Sequence, residues 1–196
     1  FSAATDQMAT PETITELYAA ALARRTHKID FLSCLEHSAR QFIIRRPENR
    51  TKVVAGYPWF GPFLEDTFMA LPGLTLSVGE QNKFEAVMQT AAKAIYAFIN
   101  NDDECNLKIY EMEHPDVLLW AVWTIQQYAK MISKDEAYNK YGQLLIDIMN
   151  YLVGEKHPNL FNHQNEFVYA NGINKAVTWM NSTANGRPVV PRTGYV

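Results

Sequence analysis

The stretch Asp66-Thr67-Phe68-Met69-Ala70-Leu71-Pro72-Gly73-Leu74-Thr75-Leu76-Ser77-Val78 is almost continuously apolar. That predicts a helical segment buried on most sides, kinked or broken at the Pro72-Gly73 pair. The residues after it behave differently. From Gln81 to Asn100 the apolar side chains fall on one stripe, Phe84, Val87, Met88, Ala91, Ile95 and Phe98, as expected of a helix with one face in water. The alternation then repeats. Val117 to Trp123 is apolar all round and continues helically through Ile125 and Tyr128, whereas Tyr141, Leu144, Leu145, Ile148 and Leu152 restore a one-sided pattern. An enclosed helix followed by an amphipathic one, twice over, is what two concentric layers require, the inner lining a barrel and the outer facing solvent. The expected fold is therefore all-α, a partial α/α toroid; an ordinary helical bundle meets the same pattern.

Toward the N-terminus, Thr10-Pro11 has the form of a helix start, with Thr as cap and Pro at the first helical position, ahead of Ile14, Leu17, Tyr18, Ala21 and Leu22. A second helix is expected from Ile29 to Ile44, ending before Pro47. Val53 to Ala55 suits a short strand, and Gly56, Pro58, Gly61 and Pro62 then hold the chain in an irregular loop. From Gly154 onward the sequence is rich in Asn, Gly, Pro and aromatics, which predicts a long loop with a short strand at Phe167 to Tyr169.

Composition narrows the function classes. With 196 residues, 47% hydrophobic and 20% charged, the chain is long enough for a real core, and a single partial domain over residues 1–196 is expected. The net charge of -3 has no basic stripe within it, so nucleic acid is not an expected partner. No apolar run approaches the roughly 20 residues of a membrane helix and nothing at the start looks like a signal peptide; a soluble, cytoplasmic protein is expected. Cys34 and Cys105 lack CxxC spacing and are expected to be buried, reduced thiols. The five histidines are scattered without ligand spacing, so neither a metal nor an organic cofactor is expected. A first residue Phe1 and a last residue Val196 suggest a fragment truncated at its C-terminus.

In a toroid, the loops entering the inner helices gather at one end. Gly56 to Glu65, Glu111 to Pro115 and Asn171 to Val196 are those loops, and they carry Tyr57, Trp59, Phe60, Phe63, Glu65, Trp179, Arg187 and Arg192. Aromatic faces with charged groups among them suit the stacking of sugar rings and the binding of their hydroxyls. Plainer roles compete for the same residues. Trp59 and Phe60 also suit a core, Asp66 a helix N-cap, Asp116 a first-turn carboxylate, and Arg187 and Arg192 the bracing of a loop.

The run Ala55-Gly56-Tyr57-Pro58-Trp59-Phe60-Gly61, followed by Asp66 to Leu74, closely resembles the entry to the glucosidase domain of glycogen-debranching enzymes. Thr178-Trp179-Met180-Asn181, then Gly186-Arg187-Pro188-Val189 and Pro191-Arg192-Thr193-Gly194, resembles that domain's second signature, and Asp116 with Leu119-Trp120 its Asp-Ala-x-Leu-Trp segment. The resemblance implies a six-hairpin α/α toroid that removes α-1,6-linked glucose from glycogen or a related α-glucan. Its inverting mechanism pairs a carboxylic acid with a carboxylate that activates water. It also implies that Asp66 accepts hydrogen bonds from sugar hydroxyls.

Two departures stand out. Asn181 occupies the position of the family's general acid, and an amide has no proton to give with useful acidity. Glu65 stands where the family tends to carry Arg, which reverses the local charge. The second carboxylate would lie downstream of Val196. The isolated chain is thus expected to be inactive, to bind α-glucan, and to pair with the remainder of the toroid or with itself. A non-catalytic glucan-binding descendant and a helical module binding protein are the rival readings.

Overall fold

The computed structural model describes residues 10–23, 28–46, 50–102, 114–171, 176–191 and 194–195. The chain is mainly α-helical and divides into two compact units, Phe1–Ser38 and Ala39–Val196.

The first unit holds α1 (Pro11–Ala23) and most of α2 (Phe31–Gln41). The start of α1 is capped as expected, the Thr13 amide donating to Thr10 Oγ1 at 3.3 Å, and at the start of α2, two residues later than expected, the Ser33 amide donates to Asp30 Oδ1 at 2.8 Å. Cys34 is a free thiol, half-buried rather than enclosed as expected, because α2 buries none of its residues. Cys105, expected to be a buried thiol, lies outside the described residues.

The helix expected over residues 29–44 stops at Gln41. Ile43–Arg46 forms β1 instead, paired antiparallel with β2 (Arg50–Val53) in the register Ile43 to Val53 and Arg46 to Arg50. Two adjacent β-branched isoleucines favour a pleated surface, and Pro47 prevents helical continuation. The Val54 amide extends the hairpin by donating to the Phe42 carbonyl at 2.9 Å.

The larger unit continues with α3 (Leu64–Leu74), a 3₁₀ turn at Leu76–Val78, α4 (Gln81–Ile99), α5 (Val117–Met131) and α6 (Lys134–Val153). α3 lies along α5 and α5 along α6, while α4 meets α6 and carries β2 on its flank. Phe68 and Leu71 of α3, Phe84, Met88 and Ile95 of α4, Leu118 and Ile125 of α5 and Ile148 of α6 fill one core. The stripes of α4 and α6 point into it, as their spacing requires. Helix α5 is less enclosed than its sequence suggests. Trp123 is 37% exposed and Leu119, Trp120 and Val122 are only partly buried, so one apolar edge of α5 has no cover among the described residues.

Pro72 does not break α3, which runs two residues past it. A proline there cannot donate to the carbonyl of Phe68 one turn earlier. That carbonyl accepts instead from the Thr124 hydroxyl of α5, at 2.6 Å in a fully buried position. The Thr124 hydroxyl thus ties α5 to α3 at the carbonyl that Pro72 leaves without its helical donor. Thr124→Val is expected to cost about 1–3 kcal/mol by leaving that acceptor without a donor. Adding Pro72→Ala restores an amide and should recover most of the loss; equal costs in the two backgrounds, measured by urea unfolding, would contradict the pairing.

After α6 the chain forms short strands. β3 (Leu160–Asn162), β4 (Val168–Ala170) and β7 (Gly194–Tyr195) make an antiparallel sheet in the order β3-β4-β7, in which β4 lies within one residue of the expected strand. β5 (Thr183–Ala184) and β6 (Arg187–Pro188) form a hairpin closed by Asn185 and Gly186, both at positive φ.

Candidate functional site

The chain leaves β2 through Val54 and Ala55 and closes a tight loop. The Ala55 amide donates to the Gly61 carbonyl at 3.1 Å and the Phe60 amide to the Gly56 carbonyl at 2.9 Å, with a cis Tyr57–Pro58 bond between them. The bonded base holds the tip outward. Trp59 is 84% exposed, and Tyr57 and Phe60 are exposed by 58% and 61%. None of the three is a core residue. Three neighbouring aromatics left in water by a built turn form a surface suited to a ligand with flat apolar faces.

Helix α3 begins directly behind this loop. Phe63 is its N-cap, without a side-chain cap bond, so Asp66 is the third residue of the first turn and not the cap. Asp66 is exposed and stands at the side of an open cavity of about 430 Å³, lined otherwise by apolar side chains that include Val53, Ala55, Met69 and Leu74. Loss of hydration beside those side chains, and then the charge of Glu65, raises the Asp66 carboxyl above its ordinary pKa. A carboxylate beside an apolar cavity of this size matches the general form of small-ligand sites.

Glu65 points the other way. It is 3% exposed, and its Oε2 lies 3.3 Å from Nδ1 of His114. Asp116, 7% exposed, precedes the first turn of α5 and accepts from Trp120 Nε1 through Oδ2 at 3.2 Å. Burial, with the charge of Glu65 second, pushes the Asp116 carboxyl up to about 6, against the opposing influence of the Trp120 bond and His114. Glu65 Oε1 and Asp116 Oδ1 are both buried without a hydrogen-bond partner among the described residues. The starts of α3 and α5 therefore meet over two buried carboxyl groups and an imidazole. His114 was not singled out as a site residue in the sequence, since nothing in its spacing to Glu65, 49 residues away, marks the pair.

The third segment is anchored by buried Ala176 and Val177, after which Trp179 emerges 55% exposed. The Met180 amide donates to Thr178 Oγ1 at 3.3 Å, and Asn181 follows, half-buried. Arg187 is exposed at the start of β6, directly after the Asn185-Gly186 turn. The Asn-Gly dipeptide between two short runs is a strong hairpin signal, and it marks this turn within the segment expected to be loop. Arg192, expected on the same surface, lies outside the described residues. Among the described residues no group of three or more His, Cys, Asp or Glu side chains is arranged to hold a metal, and no helix is long and apolar enough to cross a membrane.

A family model described as amylo-alpha-1,6-glucosidase matches residues 37–196. No curated protein and no solved structure matches the chain.

Proposed function

The chain belongs to the amylo-alpha-1,6-glucosidase family, and on that footing we propose that it recognises the α-1,6-linked glucose of glycogen or a related α-glucan. The observation that carries the reading is the exposed Trp59 loop, closed by backbone bonds immediately ahead of Asp66 and its cavity. Stacking on Trp59 supplies affinity, and Asp66 accepts from sugar hydroxyls. Trp179 and Arg187 extend the surface, and Tyr57 and Phe60 border it. Arg192, Glu65 and Asp116 belong to the same proposal as residues that grip or shape the site.

The proposed architecture is part of an α/α toroid with α3 and α5 in the inner layer. The neighbour pairs α3 with α5 and α4 with α6 support it. The apolar edge of α5 at Leu119, Trp120 and Trp123 is then where a further inner helix of the ring, or a second copy, packs. The proposed setting is the cytoplasm, without metal or organic cofactor.

Family chemistry would be inverting hydrolysis by a carboxylic acid and a carboxylate. Asn181 stands at the acid position, and loss of a general acid typically removes about 10²–10⁴-fold in rate. Residues 1–196 alone are thus expected to bind glucan without cleaving it, and the combination of Asn181 with Glu65 favours a binding-only descendant as the second reading. Electrophoresis in a gel containing glycogen, with a parallel assay for glucose released from a branched limit dextrin, separates the cases. Retardation without glucose is the expected result. Unchanged mobility would remove the sugar reading, and released glucose would assign the acid to another carboxyl group.

A further inference from the structure

The hairpin of β5 and β6 turns on Asn185 and Gly186, at φ 52° and 74°. Both residues are exposed, as are Ala184 and Arg187 on either side of them. Asn is among the few residues that tolerate this backbone region, and glycine adopts it without steric cost. The turn therefore sets two reactive groups side by side in water. Among the described residues, neither the Asn185 side-chain amide nor the Gly186 backbone N–H has a hydrogen-bond partner. A methyl group on Gly186 would meet nothing within 4 Å, so the nitrogen beside it is open to approach. We propose that Asn185 is a self-modification site, at which the Gly186 nitrogen attacks the side-chain amide carbon and Asn185 becomes isoaspartate.

The bond from the Gly186 nitrogen to Asn185 Cγ forms as the Cγ–Nδ2 bond breaks, and the Gly186 amide proton leaves with the side-chain nitrogen as ammonia. A cyclic imide remains. One water then opens it: addition at Cγ returns ordinary aspartate, whereas addition at the main-chain carbonyl leaves isoaspartate, whose main chain runs through Cβ and Cγ. The net reaction exchanges ammonia for water and involves no oxidant or reductant. Attack requires the peptide between the two residues to rotate out of the turn, and the hairpin resists this weakly. Each strand has only two residues, and Pro188, opposite Thr183, has no N–H to give the ladder. The Val189 amide, donating to the Ser182 carbonyl at 2.9 Å, closes the far end. Short, solvated ladders of this kind open at little free-energy cost. Either product sets a new carboxylate beside Arg187, the first residue of β6. Isoaspartate also adds one main-chain atom to a two-residue turn, which breaks the match of Ala184 with Arg187.

The chemistry is independent of the sugar reading, and so is its test. The whole chain is held folded at neutral pH in heavy-oxygen water, beside a second sample unfolded in urea, and both are followed over time. Fragmentation mass spectrometry of the peptide that spans residue 185 places the new carboxyl and separates isoaspartate from aspartate by their main-chain cleavage. Isoaspartate carrying the heavy oxygen is expected at residue 185 of the folded chain. Because the hairpin opens readily, the folded rate should lie within about tenfold of the unfolded one. Aspartate without isoaspartate would mean direct hydrolysis rather than attack by Gly186. Stronger protection in the folded chain would mean that the turn holds the two groups apart. Either result overturns the proposal.

Discussion

Phe84→Ala lowers the stability of the larger unit by about 3–5 kcal/mol. The ring is fully buried where three helices meet, 5.0 Å from the Tyr128 ring of α5 and 6.4 Å from the Tyr141 ring of α6, and those two lie edge to face at 5.4 Å. Removing it opens a cavity, and the size of the loss depends on whether the neighbours can collapse inward. They are restrained. The single proton of the Tyr128 hydroxyl has Glu85 Oε1 at 2.9 Å or, alternatively, Glu136 Oε2 at 3.1 Å as its acceptor, and the oxygen accepts from Gln81 Nε2 at 2.9 Å. A ring tied by its hydroxyl to α4 and α6 cannot slide into the space. Denaturant unfolding would check this, and a loss below about 1 kcal/mol would mean that the aromatic cluster is not the joint between α4, α5 and α6.

Trp59→Ala is the substitution with the largest expected effect on binding and almost none on folding. An indole already 84% exposed contributes little to the core. Covering its face with a pyranose ring is worth roughly 1–1.5 kcal/mol, about tenfold in affinity. Calorimetric titration with maltoheptaose should show that weakening while the unfolding midpoint stays within error. Unchanged affinity would move the recognition surface away from the loop. A large fall in stability would make Trp59 a structural residue despite its exposure.

Most of the helical frame was legible because burial imposes a period on helices. The stripes of α4 and α6 and the apolar runs of α3 and α5 follow directly from side-chain spacing. What failed depended on partners distant in sequence. Ile43 and Ile44 fit the face of α2 until β2 supplies a strand for them to pair with. Pro72-Gly73 predicts a kink or a break, and α3 continues only two residues past Pro72, with the Thr124 hydroxyl taking the carbonyl that the proline frees. The apolar run of α5 suggested full enclosure, yet period alone does not say whether neighbours surround every side, and Trp123 remains partly in water.

The candidate site divides in the same way. Tyr57, Trp59 and Phe60 were readable because glycines and prolines bound their loop, and local turn chemistry turned them outward. Glu65 was grouped with loop residues facing a ligand. Its place in the first turn of α3 aims it inward at His114, and Asp66, the next residue, takes the exposed position. Rotation of about 100° per residue around a helix separates two adjacent carboxylates into a buried one and an exposed one. No sequence signal fixes that rotation before the start of the helix is known.

The central claim is that the exposed aromatics of two separate segments bind α-glucan together. The chain has four tryptophans, and Trp59 and Trp179 lie on the proposed surface whereas Trp120 and Trp123 lie on α5. Four indole N–H resonances, followed by nitrogen-15 NMR during titration with maltoheptaose, therefore test it in one experiment. The account predicts that Trp59 and Trp179 shift along a common saturating curve while the α5 pair stays in place. Four resonances that remain fixed, or movement confined to Trp120 and Trp123, would contradict it.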